Sequence, residues 1–238
     1  DALTSGDGNT VMGYQAGTGL TTGTDNVLIG RTAGGSGTMT GDFNVFVGTG
    51  IGGDNALTSA YQNVCIGREA AYFGTSFNSS VLVGHAAGKS MTTGAEIVAV
   101  GRNAYTNADT EAHNLAIGSS ALNGAVAGGE YNVAIGNAAG DAITSGDHNT
   151  IIGYSTGSGL TTGSDNVILG SSCSMADVTH SNAIIIGKEI AGNGDRFSFG
   201  KPSNVVQNTF TSDANWSRSS DERLKTNVNN VGWKSLDF

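Results

Sequence analysis

The chain has 238 residues, with 11 Lys and Arg against 20 Asp and Glu, a formal charge of −9. That balance argues against a nucleic-acid partner, because phosphate contacts need clustered cations. Thirty-eight glycines with a single proline, Pro202, and no Gly-X-Y period exclude collagen, and a charged fraction of 13% excludes a typical disordered chain.

In chain order, one motif recurs. NTVMG ends at Gly13, NVLIG at Gly30, NVFVG at Gly48, NVCIG at Gly67, SVLVG at Gly84 and IVAVG at Gly101. NLAIG ends at Gly118, NVAIG at Gly136, NTIIG at Gly153, NVILG at Gly170 and AIIIG at Gly187. The spacing is 17, 18 or 19 residues throughout, and a fixed period of this length is the signature of a solenoid. Three residues after the glycine comes a small residue, as at Ala16, Ala33, Ala70, Ala87, Ala104, Ala121 and Ala139, with Thr156 and Cys173 as variants. A Gly-, Thr-, Ser- and Asp-rich turn follows, and Leu20, Leu57, Ile143 and Leu160 read as apolar plugs beneath it. Such a period is too short for two helices. It predicts two short strands and two turns per rung, an all-β parallel β-roll or β-helix solenoid of about 11 rungs. Stacked at about 4.8 Å, the rungs make a rod of roughly 50 Å.

Strand side chains alternate between faces. The uniform, β-branched outer positions of each triplet (Val27 and Ile29, Val45 and Val47, Val64 and Ile66, Val133 and Ile135) read as the roll interior. The middle positions then point the other way: Val11, Leu28, Phe46, Cys65, Leu82, Ala99, Ala116, Ala134, Ile151, Ile168 and Ile185. None is polar, and an exposed stripe of this kind invites association. The expectation is a closed homo-oligomer with this column as its interface. The residues alone do not separate trimer from dimer.

No cofactor or metal is expected. His85, His113, His148 and His180 lack metal-ligand spacing and read as turn residues, and Asp25, Asp147 and Asp165 read as turn formers. Cys65 and Cys173 lie six rungs apart, about 30 Å, too far to bridge within one chain. Acidic residues do not gather on one face, so the chain does not read as an enzyme. No apolar run reaches the roughly 18 residues of a membrane helix, so no membrane insertion is expected. Tyr61, Phe73, Phe77 and Tyr105, on variable turns, could stack on sugars or pack beneath the turns.

The phrase NVAIGNAAG and its ten relatives resemble the head repeats of trimeric autotransporter adhesins and of related bacteriophage tail fibres. The resemblance covers residues 1 to about 190 and implies a left-handed β-roll assembled as a homotrimer. SSDERLKTNVNNVGWKSLDF, residues 219–238, resembles the opening of the endosialidase-type intramolecular chaperone domain of phage tail fibres and spikes, keeping every position of Ser-Asp-x-Arg-Leu-Lys-x-Asn-Val/Ile. That resemblance implies a trimer-assembly segment that cuts itself off at Ser220–Asp221, with Ser220 as nucleophile and Lys225 as its base.

The expected organisation is a repeat roll over 1–190, a β cap over 191–218 and the start of a chaperone domain over 219–238. The opening DALTSGDGNT nearly repeats DAITSGDHNT at 141–150, so the chain reads as starting mid-rung, a piece of something longer. The resemblance implies a virion tail fibre or tailspike. Its partners would be sister chains, other tail proteins and a host cell-surface glycan or protein receptor. The alternatives are a bacterial surface adhesin and the non-catalytic stem of a polysaccharide-degrading spike.

Overall fold

A computed structural model describes residues 4–53, 57–124 and 126–210. Ser220, Lys225 and the rest of the chaperone-like segment lie outside the described residues.

Each triplet is a strand. They are β1 (Thr10–Met12), β2 (Val27–Ile29), β3 (Val45–Val47), β4 (Val64–Ile66), β5 (Val81–Val83), β6 (Val98–Val100), β7 (Leu115–Ile117), β8 (Val133–Ile135), β9 (Thr150–Ile152), β10 (Val167–Ser171) and, after β11 (Ser174–Met175), β12 (Ile184–Lys188). They stack in sequence order as one parallel sheet, each triplet in register with the next. After β13 (Ala191–Gly192), the sheet continues through β14 (Arg196–Lys201), parallel to β12, and ends on β15 (Asn204–Thr209), antiparallel to β14. The described chain is a helix-free parallel β-solenoid.

The expected second strand of each rung is mostly absent. Its place is taken by turns that bond rung to rung, with isolated bridges at Leu20–Met39, Tyr61–Asn78 and Asn78–Ala95, and with β11 pairing β13 near the end. The reason is local. The second residue after the triplet glycine and the residue before the Asn sit at positive φ in rung after rung, as at Glu69 and Gln62, both +58°. Left-handed residues interrupt an extended strand.

Two columns fix the geometry of the strand. The triplet glycine is required twice over at Gly101. Its φ is +141°, and a Cβ there would collide with the backbone carbonyl of Gly118 in the next rung. The Asn column builds a buried ladder. Asn44 Oδ1 accepts from Asn63 N at 3.1 Å and from Asn63 Nδ2 at 2.9 Å, while Asn63 Nδ2 also donates to Phe77 O. The same pattern links Asn132, Asn149 and Asn166. Buried amides need such partners, and each rung supplies them to its neighbour.

The ladder sets which face is inside, and it reverses the sequence expectation. Asn and the middle residue of the triplet are two apart, so they share a face. Leu28, Phe46, Cys65, Leu82, Ala99, Ala116, Ala134, Ile151, Ile168 and Ile185 are all fully buried within their own chain. Only Val11, in the first strand, is exposed. The middle column is therefore the core, not a contact surface for another copy. The outer positions, expected inside, are half-buried or exposed, as Ile66 and Ile152 show at 39% exposure each.

The varying size of the middle column has an internal cause. The residue four after the triplet glycine shares its space. A Cβ on Gly88 would lie 2.9 Å from both Leu82 methyls, and one on Gly157 would lie 2.9 Å from Ile151 Cδ1. Where the middle residue shrinks to Ala99 or Ala116, that position in the same rung carries the buried Tyr105 or Leu122. In these rungs volume is conserved, as close packing demands; in the rung of Ala134 and Gly140 both positions are small, and Leu122 and Ile151 of the neighbouring rungs reach into the space. The plugs Leu20, Leu57, Ile143 and Leu160 are buried, and Met39, Phe77 and Met91 extend the same core.

Candidate functional site

Repetition turns three positions of the rung into surface columns. The first is the pair of outer triplet columns. Apart from Thr10 and Thr150 they are wholly apolar from β1 to β12 and run side by side along the face of the sheet turned away from the core.

The second is the residue before the Asn. Its left-handed conformation aims the side chain outward: Glu96, His113, Tyr131, His148 and Asp165 all have φ between +55° and +59°. Three of these form a ring stack. His113 and Tyr131 have centroids 4.7 Å apart, and Tyr131 and His148 5.0 Å, nearly parallel in both cases. His113 Nδ1 lies 3.1 Å from Glu96 Oε2. Among the described residues, no three His, Cys, Asp or Glu side chains come together as a cation site.

The third is the turn after the glycine. Here Arg31, Thr49, Arg68, His85 and Arg102 directly follow Gly30, Gly48, Gly67, Gly84 and Gly101. Glu69 bridges two cations, with Lys89 Nζ 2.8 Å from Oε2 and Arg68 Nη2 2.7 Å from Oε1. Hydrogen bonds from Lys89 and then Arg68 hold the Glu69 carboxyl at about 2, well below its ordinary value. Lys89 Nζ also lies 5.4 Å from the centroid of the Tyr72 ring, a cation–π contact, and Tyr72 meets Phe73 edge-on at 4.9 Å. A cleft of about 500 Å³ opens here, lined by Arg31, Thr49, Gly50, Arg68, Glu69 and Tyr72 among others.

The chain matches no protein-family model, no curated protein and no solved structure.

Of the aromatic residues singled out by sequence, Tyr61 and Phe73 are exposed, whereas Phe77 and Tyr105 are fully buried and belong to the core. Cys65 and Cys173 are both buried and unpaired. Burial pushes the Cys65 thiol far up, so it stays protonated and inert. Sequence reasoning missed the cleft. Its signal was the rung Thr49-Gly50-Ile51-Gly52-Gly53, which carries small residues where the neighbouring rungs carry Arg31-Thr32 and Arg68-Glu69.

Proposed function

We propose that the chain is a rigid segment of a fibre- or spike-like attachment protein, packed in parallel against copies of itself as a homotrimer and offering its outer turns to a host cell-surface glycan or protein receptor. The observation that carries this reading is the uncovered apolar face made by the outer triplet columns. Parallel sheets occur almost only with both faces covered, and here only the inner face meets a core.

The apolar triplet columns alone are about 10 Å wide and about 50 Å long. That is about 500 Å² per copy, which the flanking turn residues extend toward the roughly 800 Å² per partner of a stable interface. Sister copies suit it because the columns repeat, rung for rung, in every copy. The head repeats and the chaperone-like motif at 219–238 favour a tail fibre or spike, with that terminal segment as the assembly clamp.

Sedimentation equilibrium tests the assembly. The expected particle has three times the 23.9 kDa chain mass, and Val83→Lys with Val100→Lys dissociates it while the chain keeps its β signal. A stable single-copy wild type overturns the reading. Binding of the purified assembly to a glycan array or to intact bacterial cells tests attachment.

A further inference from the structure

The cleft beside Arg31 and Arg68 is the feature that an assembly role leaves unexplained. Up to Gly187 the chain has only four Lys and Arg: Arg31, Arg68, Lys89 and Arg102. Acidic residues are spread over the same stretch, yet these four cations all sit on the turn after the triplet glycine, within five consecutive rungs. Register stacks equivalent positions over one another. Arg31 and Arg68 therefore flank the rung of Thr49 and Gly50 from either side, two rungs or about 10 Å apart.

The cleft exists because that middle rung lacks side chains. Gly50 and Gly53 let the Tyr72 ring lie against the turn: a Cβ on Gly50 would touch the ring at 3.6 Å, and one on Gly53 would approach it at 3.0 Å. Among the described residues the walls are thus two guanidinium groups, the Glu69 carboxylate, a phenol and hydroxyls over a glycine floor. Two cations there face one carboxylate. Glu69 is held by Lys89 and Arg68, and Arg31 has no carboxylate partner among the described residues.

We propose that this cleft binds an acidic saccharide unit, a sugar bearing a carboxylate or a sulfate. This deepens the attachment reading by naming the class of surface glycan, and for its biological role it rests on that reading. A guanidinium fork pairs two oxygens of a carboxylate or sulfate at once. The Tyr72 ring is held between the Gly50–Gly53 turn and Lys89, so it offers a sugar its edge and phenolic hydroxyl, and Thr49 supplies a second hydroxyl for the sugar's own hydroxyl groups. The volume falls within the range of small-molecule sites. A long polyanion such as a nucleic acid is disfavoured by the −9 charge of the whole chain.

The test titrates the full chain with a glucuronate–glucose disaccharide, with lactose sulfate and with lactose, by calorimetry and ligand-observed NMR. An acidic probe is expected to bind at least about tenfold tighter than lactose. Arg31→Gln and Tyr72→Ala should each weaken it by about tenfold. Lys188→Gln, which removes a cation from the equivalent position at the far end of the roll, should change nothing. The better of the two acidic probes identifies the anion.

Lactose binding as well as both acidic probes overturns the proposal, as does no binding at millimolar concentration. It is also overturned if Arg31→Gln dissociates the assembly, because the arginine would then serve a sister chain. If cells or arrayed glycans still capture the Arg31→Gln protein unchanged, attachment stands and the cleft's role falls. If acidic probes bind in solution but no cell or array does, the cleft stands and attachment falls.

Discussion

Tyr105 Oη accepts a hydrogen bond from Asn114 Nδ2 at 2.9 Å in the middle of the roll. In Asn26, Asn44, Asn63, Asn149 and Asn166 the side-chain amide donates to the Oδ1 of the Asn one rung earlier, but the rung before Asn114 carries Ile97, which has no acceptor. The Tyr105 phenol stands in for the missing oxygen. Burial raises its pKa out of any working range, so it stays protonated.

Removing that oxygen should be felt. Tyr105→Phe keeps the ring that fills the space beside Ala99 and leaves a buried amide proton without its partner. The expected cost is about 1–3 kcal/mol, read as a lowered midpoint in urea with an unchanged slope. An unchanged midpoint would mean that the second acceptor of Asn114 Nδ2, the Gly129 carbonyl at 2.9 Å, suffices alone.

The shared space between the middle column and the position four after the glycine predicts compensation. Leu82→Ala should cost about 2–5 kcal/mol as a cavity. Adding Gly88→Leu should recover part of the loss, because the natural rungs of Ala116 and Leu122 already use that combination and Leu122 tolerates φ of +46°. A double-mutant cycle measures the coupling, and strictly additive losses would refute it.

Gly101 should accept no side chain. Gly101→Ala places a Cβ at φ +141° against the next rung's carbonyl, and strain alone costs about 1–3 kcal/mol. The collision adds to this, so the variant should unfold earlier than Leu82→Ala or fail to accumulate. By contrast, Gly128→Ala meets no atom within 4 Å and should lose only what its own positive φ of +103° demands.

Glu69 gives the rod an acid-sensitive contact. Its carboxyl titrates near 2 in the folded chain against an ordinary 4.5. The unfolded chain therefore takes up the proton first as pH falls. The stabilisation from the Lys89 and Arg68 pairs is complete above about pH 4.5 and is lost as the pH drops through about 2. The melting-temperature difference between wild type and Glu69→Gln should be constant from about pH 7 to 5 and close toward pH 2. A difference that persists undiminished at pH 2 would contradict the assignment.

Much of this architecture is legible in the residues. The period, the strand triplets, the glycine column and the apolar plugs at Leu20, Leu57, Ile143 and Leu160 all follow from spacing, because each rung repeats one solution. The phase of the strand was misread. Uniform β-branched residues such as Val27 and Ile29 suggested an interior, but uniformity is equally what a repeated outer face produces. Two signals carried the right phase: Asn26, two residues before Leu28 and on its face, and the reciprocal sizes of Leu82 with Gly88 and of Ala99 with Tyr105. Met39 was missed because its longer rung places it five residues before Asn44 rather than the six that separate Leu20 from Asn26, whereas Met91, seven residues after Gly84 as Leu20 is after Gly13, was legible as a plug. The cleft was missed because it arises from small residues on a single rung and takes shape only once register sets Arg31 and Arg68 on either side of it.

The sameness of the outer triplet columns has a cost for any surface that meets its own copies. Sliding one copy by a single step of about 4.8 Å replaces Val81 and Val83 with Val98 and Val100 opposite the same neighbour, with almost no change in fit. Such a surface grips well but measures poorly. Alignment in any such contact must then come from features that occur once, such as the His113–Tyr131–His148 stack or the irregular strands after Gly187, and it would be as accurate as those few landmarks allow.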